Sequence, residues 1–531
     1  MKLRKIYTSA GILLLSLFCI GDAVAKDAKF ETGVSFGSTG ADEPYSSLTD
    51  KDGNYYISGM CRGDVEFADG ATIKGRGGMD AVIVKYDAEL NFLWARAVGG
   101  SKDDTFERIA VTSAGDIVAV GKISGDVTID GTDQTLSGTQ STDGCIVVYD
   151  KDGNYKSSAQ IKAAGASLCY SVAVDKSDNI FVTGSTVGAT DFGNEKTVTI
   201  EGSNSGTFLA CYNNSLVCQW AIAGSSPVQS YGWAVNFDKE ENILLTGRFG
   251  TTFTITGTDG EALTTAVGSE SSQDTYVAKL SHEGVGQWIT YVTNSNRIDT
   301  RSIDSDSQGN VYIWGHCQSA VTPEGQSPLG FNGNFDSFLI KYSSAGAYLD
   351  GMNLGGSGRD EAKSLFVDAD DNIYVAGNVN GDGSKGGTAV NMNPRGESKD
   401  YTFKGHDGYV AKYNGSTWEL MQLEKTVTPD NANQHEVAWC VTMSPDYNKV
   451  YVTGYFNNGA TVFDGASLTL PFVRDYDIYT VLYSYTLMVK TKTLEPGVAN
   501  EPYYSNIVVD NVEGAVKFEI VSGALPDGIT L

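Results

Sequence analysis

The stretch Asp368-Ala-Asp-Asp-Asn-Ile-Tyr-Val-Ala-Gly377 is written through this chain again and again. Its Asp and Asn side chains suit a tight turn, and the β-branched and aromatic run after them suits a half-buried strand. The run returns as Tyr55-Tyr-Ile-Ser-Gly59, Ile117-Val-Ala-Val-Gly121, Ile180-Phe-Val-Thr-Gly184, Ile243-Leu-Leu-Thr-Gly247, Val311-Tyr-Ile-Trp-Gly315 and Val450-Tyr-Val-Thr-Gly454. A second run, Asp80-Ala-Val-Ile-Val-Lys-Tyr86, recurs from Asp143, Gly206, Asp274, Asp336, Asp407 and Asp477. From it to the next repeat's glycine is 41 residues five times in succession, then 47. A spacing held that closely marks one supersecondary unit used repeatedly.

Each repeat offers four strands: an apolar run before the turn (Leu365-Phe-Val367), the run ending at glycine, the Asp-x-aromatic run, and an aromatic stretch such as Phe92-Leu-Trp94. The expected fold is therefore all-β, a seven-bladed β-propeller with four-stranded blades over residues 29–485. Phe30 to Phe36 reads as an outer strand that completes the last blade, which would leave no open sheet edge where the ends of the chain meet.

The pairs from Asp368 to Gly377 and from Asp336 to Tyr342 resemble the bacterial SBBP repeat, a propeller repeat of secreted proteins. The resemblance implies the fold and brings no catalytic residue set with it. Further on, Glu495-Pro-Gly-Val498, Tyr503-Tyr-Ser505 and Val521 to Leu531 resemble a bacterial Ig-like family. Residues 486–531 would hold about half of such a sandwich, so the chain reads as a fragment of a longer protein.

Residues 1–25 have the form of an export signal: Lys2, Arg4 and Lys5, an apolar run from Ile12 to Ile20, and Ala23-Val24-Ala25 before Lys26. The apolar run is too short to span a bilayer. The expected location is secreted, at the cell surface, or periplasmic. With 65 acidic against 38 basic residues the formal charge is −27. That balance repels phosphate backbones and anionic lipid, so neither nucleic acid nor membrane insertion is expected. The cysteines after the signal (Cys61, Cys145, Cys169, Cys211, Cys218, Cys317, Cys440) are odd in number and irregular in spacing, which is not a disulfide framework. Cys211 and Cys218 could pair across a short turn; buried thiols are the alternative.

The four histidines, His282, His316, His406 and His435, show no zinc spacing, and there is no nucleophile elbow or phosphate loop. The Asp-rich segments from Asp304 and Asp150 read as turn formers, lacking the distal Glu of a calcium loop. No cofactor, metal or catalytic residue is expected. The residues eight positions ahead of each inner turn are Asp42, Asp104, Ser167, Ser230, Ile298 (with Asp299 beside it), Asp360 and Glu436. Asp42, Asp104, Asp299, Asp360 and Glu436 are the candidate ligand-binding ring at one channel mouth. The segments of variable length, Asn378 to Lys404, Thr256 to Gln273 and Thr428 to Glu436, would open on the same face. Deleting Gly381 to Asn393 should then spare the fold and weaken ligand capture. The functional expectation is a monomeric, non-catalytic binding or scaffold module for a protein or glycan. The alternatives are a quinoprotein-like enzyme, suggested by Trp94 and by Gly284 followed by Trp288, and a polysaccharide-processing enzyme using paired carboxylates.

Overall fold

The structure is a computed structural model. It describes residues 28–485 except 68, 203, 267–272, 381–387, 404, 428–434, 458–461, 464–469, 472 and 474, together with short segments toward both ends. The chain forms two compact units, Thr32–Tyr447 with Tyr451–Leu482, and Met1–Glu31 with Asn448–Val450 and Tyr483–Leu531. In the smaller unit Lys2–Lys5 pairs with Tyr503–Asn506 and Leu17–Cys19 with Phe518–Ile520. The rest of residues 1–25, expected as an export signal, and of residues 486–531, expected as an Ig-like segment, lies outside the described residues.

The larger unit repeats one path. Glu361–Val367 pairs with Ile373–Asn380, that strand with His406–Tyr413, and that one with Leu420–Val427, all antiparallel. Glu43–Thr49, Tyr55–Cys61, Asp80–Tyr86 and Phe92–Gly100 follow the same order. So do the strands that start from Thr105–Val111, Ser167–Val174, Ser230–Phe237 and Ile298–Ser305. The last sheet runs Glu436–Met443, Lys449–Phe456, Asp477–Ser484 and Lys29–Phe36. Innermost strands pack on one another in chain order, and Glu436–Met443 packs on Glu43–Thr49. The described residues contain no helix, and the arrangement is all-β and propeller-like.

Local chemistry explains the repetition. At five of the inner turns an Asp closes its own loop: Asp306 accepts the backbone N–H of Gln308 at 3.0 Å and of Asn310 at 2.9 Å, and the Asn310 side chain at 2.8 Å. Asp50, Asp175, Asp238 and Asp368 do the same. The lysine of the third strand ties to that Asp, as Lys279 does to Asp238 at 2.6 Å and Lys341 to Asp306 at 3.0 Å. Between repeats, the rings of Trp94, Trp220 and Trp288 lie against Gly153, Gly284 and Gly346 of the following repeat. The indole N–H groups of Trp94 and Trp288 donate to the carbonyls of Lys151 and Ser344. The tryptophans that suggest a quinone-docking motif thus fasten one repeat to the next. The seven cysteines from Cys61 to Cys440 are buried and free, Cys211 and Cys218 included.

The segments between second and third strands reach backward. Thr252–Thr256 pairs with Cys218–Ser225, the outer strand of the preceding repeat. Ala189–Asp191 pairs likewise with Tyr155–Ala163, and Thr322–Pro323 with Gly286–Thr293. Each covers an edge that would otherwise present unpaired backbone. In the sixth repeat Thr388–Asn391 pairs with Asp400–Phe403, and Val390, Met392 and Phe403 are buried with Trp418 and Leu420. The Asn393 side chain also accepts the N–H of Leu420 at 2.8 Å. This corrects the expectation that deleting Gly381 to Asn393 spares the fold: the deletion would take Val390 and Met392 out of a core. Thr428 to Gln434 lies outside the described residues.

Candidate ligand-binding site

The site begins with the repeat's glycine. A Cβ at Gly59, Gly121, Gly184, Gly247 or Gly454 would collide with the carbonyl oxygen of Glu43, Thr105, Leu168, Tyr231 or Val437 in the innermost strand. The strands come this close because the innermost strand carries one extra residue there. Register slips between Pro44 and Ser46, Phe106 and Arg108, Cys169 and Ser171, Gly232 and Ala234, Thr300 and Ser302, and Ala362 and Ser364. A bulge leaves its extra residue unpaired and re-aims the side chain. The residues are Tyr45, Glu107, Tyr170, Trp233, Arg301 and Lys363, and Trp439 holds the matching place after Val437.

These seven side chains line one cavity together with Arg108, Ser364 and Cys440. The next position along the strand is small in the other repeats (Ser46, Ser171, Ala234, Ser302, Ser364, Cys440) and arginine in the second. The Arg108 guanidinium donates to the carbonyl of Arg301 at 3.5 Å, reaching from the second repeat to the fifth.

Aromatic rings and cations share the wall. Tyr170 lies 4.5 Å from Trp233, and Tyr231 stacks on Trp233 at 5.7 Å. The Arg301 guanidinium sits over Trp233 at 5.3 Å, and the Lys363 ammonium over Trp439 at 4.1 Å. Tyr45 meets Trp439 at 5.6 Å. Burial pushes the Glu107 carboxyl up and the Arg108 and Lys363 pKa values down. Burial also opposes ionisation of Glu361, but Lys363 at 2.8 Å, His316 and Arg359 outweigh it and hold the carboxylate well below its usual range. Burial, reinforced by Arg301, drives His316 down to about 3, so the ring is neutral near pH 7. The His406 and His435 rings stack at 3.9 Å nearby. Several donors have no acceptor within the protein although they are buried: Nε of Arg108, Arg248 and Arg301, and the indole N–H of Trp233.

The carboxylates picked out by sequence spacing lie one layer behind this wall. Asp42, Asp104, Asp299, Asp360 and Glu436 are all at most 1% exposed. Asp42 accepts N–H groups of Ser38 and Arg62, Asp104 those of Gly100 and Ser124, and Asp360 those of Gly356 and Asn380. Ser167 and Ser230 imitate this with a hydroxyl that accepts the N–H of Gly144 or Thr207 and donates to Ile161 or Gly224. Burial raises Asp42 to about 6 and Asp104 and Asp360 to about 7, against the lowering effect of those N–H groups. Asp299 differs: it gathers Arg248 at 3.2 Å, Arg297 at 2.6 Å and His316 at 3.7 Å. Sequence spacing thus finds buried, loop-closing carboxylates and misses the side chains that line the cavity. The available signal was the position fourteen residues before each glycine from Gly59 to Gly377, where residue type varies freely.

A model of the SBBP β-propeller repeat matches residues 158–193. The chain is 22% identical over 435 residues to an uncharacterized WD repeat-containing protein, L264, of Acanthamoeba polyphaga mimivirus; the match covers 67% of this chain and 31% of that protein. The chain therefore spans about a third of the length of the curated relative it matches. Among solved structures it is similar to the periplasmic gluconolactonase PpgL of Pseudomonas aeruginosa (10% identity, TM-score 0.38, covering 85% of this chain and 98% of that one). It is also similar to the Dos1 propeller (8% identity, TM-score 0.36, covering 86% and 95%).

Proposed function

We propose that this chain is an exported, non-catalytic binding module: a closed seven-bladed propeller that takes part of a protein or glycan ligand into its central channel. The observation that carries the reading is the cavity itself, lined at matching strand positions by four aromatic and three charged side chains. Concave sites with aromatic walls and a few polar groups are where ligands bind. Packing of Glu436–Met443 on Glu43–Thr49 supports closure. The stacking of Tyr55 on Tyr451 at 4.5 Å, with the Tyr55 hydroxyl 2.6 Å from that of Thr453, supports it further. A non-catalytic role is supported by the thiols, all buried and with pKa values pushed up by burial, which is the state of an inert cysteine. The Ig-like segment would act as a spacer.

The test is to screen protein and glycan arrays with the wild type and with Ser364→Trp, which fills the cavity. Ligands captured by the wild type and lost in the variant, at unchanged melting temperature, support the reading. Capture indifferent to the substitution overturns it.

A further inference from the structure

We propose that the channel cavity is built for a uronate, a saccharide ring bearing a single carboxylate; the inference rests on the channel reading above and names its ligand class. Three cations converge on the cavity wall, Arg108, Arg301 and Lys363, against Glu107. Lys363 is already paired with Glu361, but the Arg108 guanidinium bonds to a carbonyl rather than a carboxylate, and among the described residues no ion pair engages Arg301. Buried charged donors are costly until bonded, and a guanidinium fork matches a carboxylate. The site is thus an acceptor-poor, cation-rich spot inside a chain of net charge −27.

The remaining wall decides what carries the carboxylate. Tyr45, Tyr170 and Trp439 add aromatic surface to the wall, of the kind that packs against the C–H face of a sugar ring. Glu107 offers carboxylate oxygens, which suit hydroxyl donors and would be wasted on an aromatic acid. The surrounding negative charge repels dense polyanions at long range, so a ligand with one anionic group is favoured over a sulfated or phosphorylated polymer.

The experiment is calorimetric titration of the whole chain with glucuronate- and galacturonate-terminated disaccharides, their carboxyl-reduced neutral counterparts, and sodium benzoate. The expected result is binding of an acidic disaccharide at least about tenfold tighter than its reduced counterpart or benzoate, one well-placed charged contact accounting for such a factor. Arg301→Gln should remove most of that difference. The acidic-against-reduced comparison uses the wild type alone, so it stands even where a variant does not fold. Equal affinity for the two sugars, tighter binding of benzoate, or no binding of either acidic sugar overturns the uronate assignment. If a neutral sugar or a protein is then captured by the wild type and lost in Ser364→Trp, the channel reading survives. An acidic sugar that binds Ser364→Trp as it binds the wild type removes both.

Discussion

Two kinds of irregularity interrupt the repeats, and they have different meanings. The segments between second and third strands vary in length, from 21 residues after Gly59 to 30 after Gly377, counted to the next Asp or Gly motif. They spend that length on packing: hairpins pair with the preceding outer strand or bury apolar side chains over it. The bulge position of the innermost strand varies in residue type at nearly constant place, and it lines the cavity. In this fold, variation in length marks how edges are covered. Variation in chemistry at a fixed point marks the site.

The largest effect that could break this contrast is in the sixth repeat. Phe403 and Met392 are at most 1% exposed and share a core with Trp418. Phe403→Ala should cost about 3–5 kcal/mol and Met392→Ala about 2–5 kcal/mol, read by thermal or denaturant unfolding. Trp233→Ala, in the half-buried wall, should cost far less. If Trp233→Ala is the more damaging, the distinction between packing hairpins and a ligand-facing wall fails.

Next in size is the hinge between repeat and site, the glycine column. At Gly247 a Cβ would collide with the Tyr231 carbonyl and approach the Tyr276 hydroxyl at 2.7 Å. Gly247→Ala should cost about 1–3 kcal/mol, the usual scale of overpacking. It should also disturb Trp233, which the bulge aims, so the indole fluorescence of the folded variant should shift. A destabilised protein with unchanged fluorescence would separate the glycine from the site.

That column also explains what the sequence could and could not tell. The strand path, the Asp-closed turns and the outer strand from Lys29–Phe36 follow from local rules, because hydrophobic runs and turn residues act within a few positions. The carboxylates ahead of the inner turns are also local: Asp42, Asp104 and Asp360 close backbone loops. The cavity wall is not local. A bulge shifts the inward–outward alternation by one, so a period of two read along Glu43–Thr49 does not say where Tyr45 points. The reach of Arg108 to Arg301 joins positions far apart in the chain. The hairpin of Thr388–Phe403 was legible as an insertion, but its buried side became visible only against Trp418.

The mouth loops give a pH test of intermediate size. Burial raises Asp104 and Asp360 to about 7, above the ordinary carboxyl value of the unfolded chain. The folded state therefore holds these protons more tightly than the unfolded state. Their contribution to stability is full below about pH 4, and it is lost as pH rises through about 7. Melting temperature should fall between pH 5 and pH 8 in the wild type and fall less in Asp104→Asn and Asp360→Asn. An equal fall in both variants would move the pH dependence elsewhere and leave these carboxylates as simple loop closers.

The smallest effect lies at the opposite end of the strands, where carboxylates are exposed rather than buried. Asp371 accepts the N–H and hydroxyl of Ser307 in the preceding repeat, both at 2.7 Å, and Asp178 does the same for Ser113. Both acceptors sit in left-handed backbone, with φ of 64° at Asp371 and 63° at Asp178. Asp371→Ala loses the two exposed bonds and keeps the strain of a side chain at positive φ, so it should cost about 1 kcal/mol. Asp371→Gly loses the same bonds but removes a strain of about 1–2 kcal/mol, offset in part by the freedom glycine gives the unfolded chain. It should therefore unfold within about 0.5 kcal/mol of the wild type. Were the glycine variant as unstable as the alanine variant, the exposed contact between neighbouring turns would outweigh the backbone. The turn end would then, like the mouth, be held by its carboxylates rather than by its local conformation.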